Sequence, residues 1–242
     1  MSGHSKWATI KRKKASIDAA KGRSFTKIIK EITISARDGG GNPDDNPRLR
    51  LAIQTAKANN MPQDNIMRGI KKGTGELEGV SYEELMYEGY APNGIAIIVE
   101  CISDNRNRAV AELRHLISKN NGTMGESGSV AWMFDRRGVI NVEKAGANED
   151  ELMEVILEAG ADDLKSEGDY FEVITSIPAF EKTRKAVEDK GYKIESASLQ
   201  YLAKDLVTIE GTAQEQVLKF LDAVEDHDDV QNVYTNADFQ SE

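Results

Sequence analysis

The sign of the charge changes once along this 242-residue chain, and the period of its apolar residues changes at the same place. Residues 1–80 hold 16 Lys or Arg against 8 Asp or Glu, a net of +8. Residues 81–242 hold 15 against 33, a net of −18, so the whole chain stands at −10. The positive charge is densest in residues 3–30, where nine Lys or Arg face the single acid Asp18. A chain divided this way folds as a cationic unit that meets a polyanion and an acidic body that stays off it. The plainer reading of the basic run is a solvated tail. Trp7 and Ile10 speak against it, because their apolar surface needs something to cover or a base to stack on.

The length calls for two or three domains. No apolar run nears the ~20 residues of a membrane helix, and the basic start has no apolar segment behind it, so neither a span nor a secretory signal is expected. The single cysteine, Cys101, lies in the strand-like IAIIVECI and reads as a buried thiol in a reducing compartment, which places the protein in the cytoplasm.

Only helices are expected in the basic part. Phe25, Ile28, Ile29, Ile32 and Ala36 form one apolar stripe of a helix that ends near Arg37, with Gly39 as its C-cap. Arg23, Lys27, Lys30 and Arg37 form a second, basic stripe on another face. Asn46-Pro47 starts a helix with Leu49, Ala52, Ile53 and Ala56 inward. Met61-Pro62 opens a third, with Ile66 and Ile70 inward and Arg68, Lys71 and Lys72 outward. The glycines of residues 73–79 mark the boundary.

Beyond them, residues 87–91 and 94–102 read as a hairpin turning at 92–94. A helix capped by Asp104 or Asn105 follows, running through Val110, Leu113 and Ile117, and then a strand over 129–135. Residues 138–202 give strand, helix, strand, strand, helix, strand, the split βαβ pattern of a ferredoxin-like unit. The tail adds a strand at 206–210, a helix over Val217, Leu218, Leu221 and Val224, and a strand at 230–235. The expected class is therefore α+β: a helical N-terminal domain followed by two α/β (ferredoxin-like) domains, one inserted in the other. The boundaries fall at 1–80 for the basic helical domain, 81–136 plus 204–242 for the discontinuous α/β domain, and 137–203 for the inserted one.

No catalytic signature appears, whether nucleophile elbow, zinc-protease helix, phosphate loop or dinucleotide fingerprint. His4, His115 and His227 stand far apart and, with one cysteine, make no zinc set. The acidic run 225–229 lacks calcium-loop spacing and reads as a solvated helix end. The cluster at 104–108 reads either as a helix cap with exposed Arg106 and Arg108 or as an anion contact at a helix start. No enzyme activity, cofactor, metal or small-molecule substrate is expected.

Several long segments in one order carry a resemblance: GHSKWATIKRKK at 3–14, NPRLRLAIQTAKANNMP at 46–62, YEGYAPNG at 87–94, SDNRNR at 103–108 and GSVAWMF at 128–134. On these the chain resembles the YebC family, which includes the mitochondrial translational activator of cytochrome c oxidase subunit I. Ser103 stands where Thr is frequent in that family, and Ala91 and Asn93 where Gly is frequent. The resemblance implies three domains and a cytoplasmic regulator of gene expression. Bacterial members are described as DNA-binding transcription regulators, whereas others contact the ribosome and relieve stalled peptide synthesis. The expected partner is thus nucleic acid, DNA or ribosomal RNA, with no membrane role. The residues expected to contact it are Lys6, Trp7, Lys11, Arg12, Lys13, Lys14, Lys21, Arg23, Lys27, Lys30, Arg68, Lys71, Lys72, Arg106 and Arg108. Arg, Asn and Gln on the third helix suit either partner, so no base-reading set is assigned.

Overall fold

The computed structural model describes residues 19–240. Three helices come first: α1 (Ala19–Gly39), α2 (Pro47–Ala58) and α3 (Gln63–Gly73). Ile28, Ile32 and Ala36 of α1 meet Leu49, Ala52 and Ala56 of α2 and Ile66 and Ile70 of α3 in one core. α1 runs through Gly39, and the left-handed turn falls one residue later, at Gly40 with φ +85°. Asn46 joins the first two helices. Its side chain accepts from Leu49 N–H (3.1 Å) and donates to the Ser35 (2.7 Å) and Gly40 (2.9 Å) carbonyls.

The next unit is built on a sheet of order β3-β1-β2-β9 from β1 (Glu83–Ala91), β2 (Ile95–Ser103), β3 (Thr123–Met124) and β9 (Val230–Thr235). β1 and β2 form a hairpin in which Asn93 and Gly94 both take positive φ, the conformation a tight turn between twisted strands requires. Helices α4 (Arg106–Lys119) and α7 (Gly211–Glu225) cover one face. Ile97, Val99, Leu113, Phe220 and Leu221 form the core there. The other face offers Ala96, Ile98 and Tyr234 to Val130, Phe134 and Tyr201, so β2 is buried on both sides.

Between β3 and the tail lies a second sheet of order β5-β6-β4-β7, made of β4 (Phe134–Glu143), β5 (Ala161–Glu167), β6 (Tyr170–Thr175) and β7 (Ile194–Ala203). All its pairs are antiparallel, and α5 (Glu149–Ala159) and α6 (Phe180–Asp189) pack on one face over Ile140, Val142, Phe171 and Val173. This is the split βαβ arrangement, inserted into the first α/β unit, and the α+β class follows. Among the described residues no helix is long and apolar enough to cross a membrane.

Two expected elements differ. Residues 129–135 are not one strand: Ala131–Met133 is a 3₁₀ turn, and the strand that starts at Phe134 belongs to the second sheet. The cause is Glu88, whose carboxylate accepts from the amides of Gly128 (2.7 Å), Val130 (2.8 Å) and Ala131 (2.7 Å), donors that a strand would need for its ladder. The segment at 206–210 does not join the main sheet. Its β8 (Val207–Ile209) pairs in parallel with β10 (Ala237–Phe239) in a separate two-stranded sheet.

The inserted unit has one close approach that tests its packing. A Cβ on Gly138 would lie 2.3 Å from Thr175 Oγ1 and 2.5 Å from Phe180 Cδ2. Gly138→Ala is expected to lower stability by about 1–3 kcal/mol through overpacking. Urea denaturation measures it, and an unchanged midpoint would mean that α6 does not rest on β4 as described.

Candidate nucleic-acid interface

Lys27 and Lys30 of the basic stripe of α1 turn inward where an exposed surface was expected, while Arg37 is exposed. Lys30 is 7% exposed, and its Nζ lies 2.6 Å from Asp229 Oδ1 and 2.9 Å from the Asp228 carbonyl. Lys27 Nζ donates to the Glu225 carbonyl at 2.5 Å, at the end of α7, where carbonyls lack helical partners and the helix dipole is negative. Ile34, one turn beyond Lys30, is fully buried, and Arg37 donates to the Tyr82 carbonyl. The face seats the helical unit on the first α/β unit. Lys30 is therefore corrected from a phosphate contact to an internal tie, because a buried carboxylate and a helix C-terminus hold the two lysines.

Asp229 is the node of that seam. It is 3% exposed, and its second oxygen accepts from Ser103 Oγ (2.8 Å) and Arg108 (3.0 Å). Burial by itself would raise its pKa. The hydrogen bonds from Lys30, Ser103 and Arg108, with the Lys30 charge, outweigh burial and hold it below the ordinary value. A hydroxyl is what position 103 contributes, and Ser and Thr both supply one. The run 225–229 is thus not wholly solvated, since its last residue is buried around an ammonium.

Arg108 also binds Asp104 (2.8 Å), so its guanidinium is committed on two sides. Asn105 caps α4 by accepting from Arg108 N–H (3.0 Å), and Arg106, the first helical residue, is exposed. His227 stands beside Asp229, with Nδ1 accepting from the Asp229 amide and Nε2 3.1 Å from Glu112. Both ring nitrogens are occupied, which makes the group a hydrogen-bonded helix end. Cys101 is buried, and its thiol is pushed up to about 12 by burial and then by the Asp229 charge, so it is no nucleophile at neutral pH.

Arg68, Lys71 and Lys72 fulfil the outward expectation. They fall at i, i+3 and i+4 on α3, opposite Ile66, Gly69 and Ile70, and all three are exposed. None of them enters an ion pair among the described residues. Lys21 and Arg23 lie on the first turns of α1, with their side chains outside the description. Lys6, Trp7, Lys11, Arg12, Lys13 and Lys14 lie outside the described residues. The junction of the three units is a groove of about 1520 Å³ whose walls include Glu31, Glu84, Glu100, Glu181, Asp222 and Glu225. Lys27, Arg48 and Arg136 also line it, and the acids outnumber these cations. Ser103 opens SDNRNR and Asp229 ends the acidic run 225–229, but nothing in their spacing ties either of them to Lys30.

Two family profiles match the chain: "TACO1/YebC protein N-terminal domain" over residues 5–76 and "TACO1/YebC second and third domain" over residues 82–237. A probable transcriptional regulatory protein of Desulforapulum autotrophicum is 54% identical over 242 residues, covering 100% of this chain and 98% of that protein. One from Pelodictyon phaeoclathratiforme is 56% identical over 237 residues, covering 98% and 95%. The crystal structure of a conserved hypothetical protein from Aquifex aeolicus superposes with a TM-score of 0.86 at 42% identity, covering 94% of each chain.

The seam makes a stability prediction. Lys30→Ala leaves a buried carboxylate with Ser103 and Arg108 alone and is expected to cost about 3 kcal/mol. The folded Asp229 carboxyl sits below its ordinary 3.8, so its contribution is complete above that value and is lost as pH falls through the lower folded value. Denaturation at a series of pH values should show a steeper acid decline for the natural chain than for Asp229→Asn. Parallel curves would remove Asp229 from its assigned role.

Proposed function

The chain belongs to the TACO1/YebC family, and on that premise we propose that it is a non-enzymatic regulator of gene expression that binds DNA through its basic N-terminal run and the outer face of α3. The observation that carries this reading is the distribution of charge. The net positive charge sits in residues 1–80, while the remainder carries −18 and surrounds an acidic junction. Relatives of near-equal length bear the name of probable transcriptional regulators, which supports a regulatory role.

In this reading Lys6, Lys11, Arg12, Lys13, Lys14, Lys21 and Arg23 neutralise phosphates, Trp7 covers a base or sugar, and Arg68, Lys71 and Lys72 extend the contact. Arg106 adds a cation at the start of α4. Lys27 and Lys30 hold the helical unit at a fixed angle to the acidic body, with Arg108 bracing Asp229, so a polyanion engages from one side only. Cytoplasmic residence accords with the lone buried thiol. A ribosome-bound translation role uses the same cations on ribosomal RNA. A DNA regulator prefers particular duplexes, whereas a ribosomal factor co-sediments with ribosomes and ranks free duplexes weakly.

If about five cations each neutralise one phosphate, log K for a duplex falls with log salt at a slope of roughly −4 to −5. Replacing Lys11, Arg12, Lys13 and Lys14 with Ala should flatten the slope markedly, to about −1, measured by fluorescence anisotropy across a salt series. An unchanged slope would sink the assignment of those residues.

A further inference from the structure

Trp132 is 67% exposed, the most exposed of the large apolar side chains among the described residues. Tryptophan is among the residues enriched where binding energy is concentrated at interfaces. This one is also held still. Glu88, only 4% exposed, takes the three amides of residues 128, 130 and 131, and its backbone carbonyl takes Gly125 N–H at 2.8 Å. Burial would raise the Glu88 pKa, yet the three amides hold it below the ordinary value, so the clamp is ionised at neutral pH. On the far side of the turn, Lys204 N–H donates to the Met133 carbonyl (2.9 Å) and Lys204 Nζ to the Trp132 carbonyl (2.8 Å). The ring itself is fixed by Nε1, which donates to the Ser129 carbonyl at 3.1 Å.

That last bond narrows what the ring can recognise. With Nε1 spent inside its own turn, the indole offers no hydrogen bond outward, only its flat faces. A protein hot-spot tryptophan usually gains from its N–H as well as its area. A π-face without a donor suits a flat, stackable partner, and every nucleobase has such a face. Lys204 Nζ, bonded to the Trp132 carbonyl and 3.6 Å from Asp135, puts a cation at the same residue for the phosphate of a stacked nucleotide. A base inside a duplex cannot reach a ring in this way, because its faces are already stacked.

We propose that Trp132, held by Glu88 and flanked by Lys204, is a stacking platform for one unpaired nucleobase. The inference rests on the nucleic-acid reading above and adds to it a partner that contains a single-stranded position. The unpaired base could belong to RNA or to opened DNA, and the chemistry of the ring is the same for both.

The test uses the full chain with labelled 15-nucleotide single strands, one RNA and one DNA, beside a duplex of equal length. Affinities come from anisotropy at one salt concentration. Trp132→Ala is expected to lower the ratio of single-strand to duplex affinity about tenfold, and Trp132→Phe to keep most of it. Glu88→Gln, which weakens the clamp but leaves the ring, should fall between them. Thermal melting confirms that each variant is folded. Whichever single strand shows the drop identifies the source of the base. An unchanged ratio in Trp132→Ala overturns the platform, as it would if the ring serves a protein partner, while duplex binding would leave the broader reading standing. Failure of the natural chain to bind any of the three would overturn the nucleic-acid reading itself.

Discussion

One buried contact, between the Lys30 ammonium and the Asp229 carboxylate, sets how the helical unit of this molecule stands on the first α/β unit. Two charges removed from water are costly unless every remaining lone pair and proton is met. Here most of them are met: the Asp228 carbonyl takes a second ammonium proton, and Ser103 and Arg108 meet the second carboxylate oxygen. The demand is geometric. Only one placement of α1 against the end of α7 and the start of α4 satisfies all four groups, so an energetically modest contact fixes an orientation sharply. Arg48 repeats the logic nearer the surface, joining Glu31 of α1 at 2.7 Å to Glu84 of β1.

This use of charge divides the cations into two sets. Lys27 and Lys30 look, in a list of basic residues, like further members of a phosphate-binding surface, and the structure turns both onto the first α/β unit, whereas Arg108 stays at the surface, tied to Asp104 and Asp229. Arg68, Lys71 and Lys72 have the same composition and keep their heads in water. The separation matters for affinity, since an ammonium bonded to a buried carboxylate brings no counterion release when a polyanion arrives. The useful positive charge is thus smaller than the formal one and lies farther toward the N-terminus.

Much of the fold was legible because local rules agreed. The 3.6-residue stripes of the helical unit, the Asn46 and Asn105 caps, and the strand-helix alternation of residues 138–202 each follow from short-range chemistry. The failures share a cause, which is a partner far away in sequence. Residues 129–135 have strand composition, and a carboxylate some forty positions earlier takes their amides. Lys30 fits a solvated helix face, and its acid lies 199 positions later. Residues 206–210 have strand periodicity, which cannot tell a main sheet from a two-stranded pair with residues 237–239. Of the candidate surface, the α3 stripe was readable from spacing alone. The inward half of α1 was not, because spacing defines a face and says nothing of what the face meets.

The insertion has a consequence for how the chain is made. The helical unit and the second sheet are each continuous, and each can close soon after it leaves the ribosome. The first sheet cannot, because β2 must wait for β9, which begins at Val230. At ordinary rates of synthesis that delay is on the order of ten seconds. Throughout it, the strand carrying Ile97 and Val99 lacks a neighbour on one edge, the condition under which foreign strands add to a sheet. The Lys30 ammonium waits longer still, for Asp229 lies 199 positions beyond it. Birth order therefore runs from both ends of the architecture toward its middle, and the seam that orients the molecule is the last part to form.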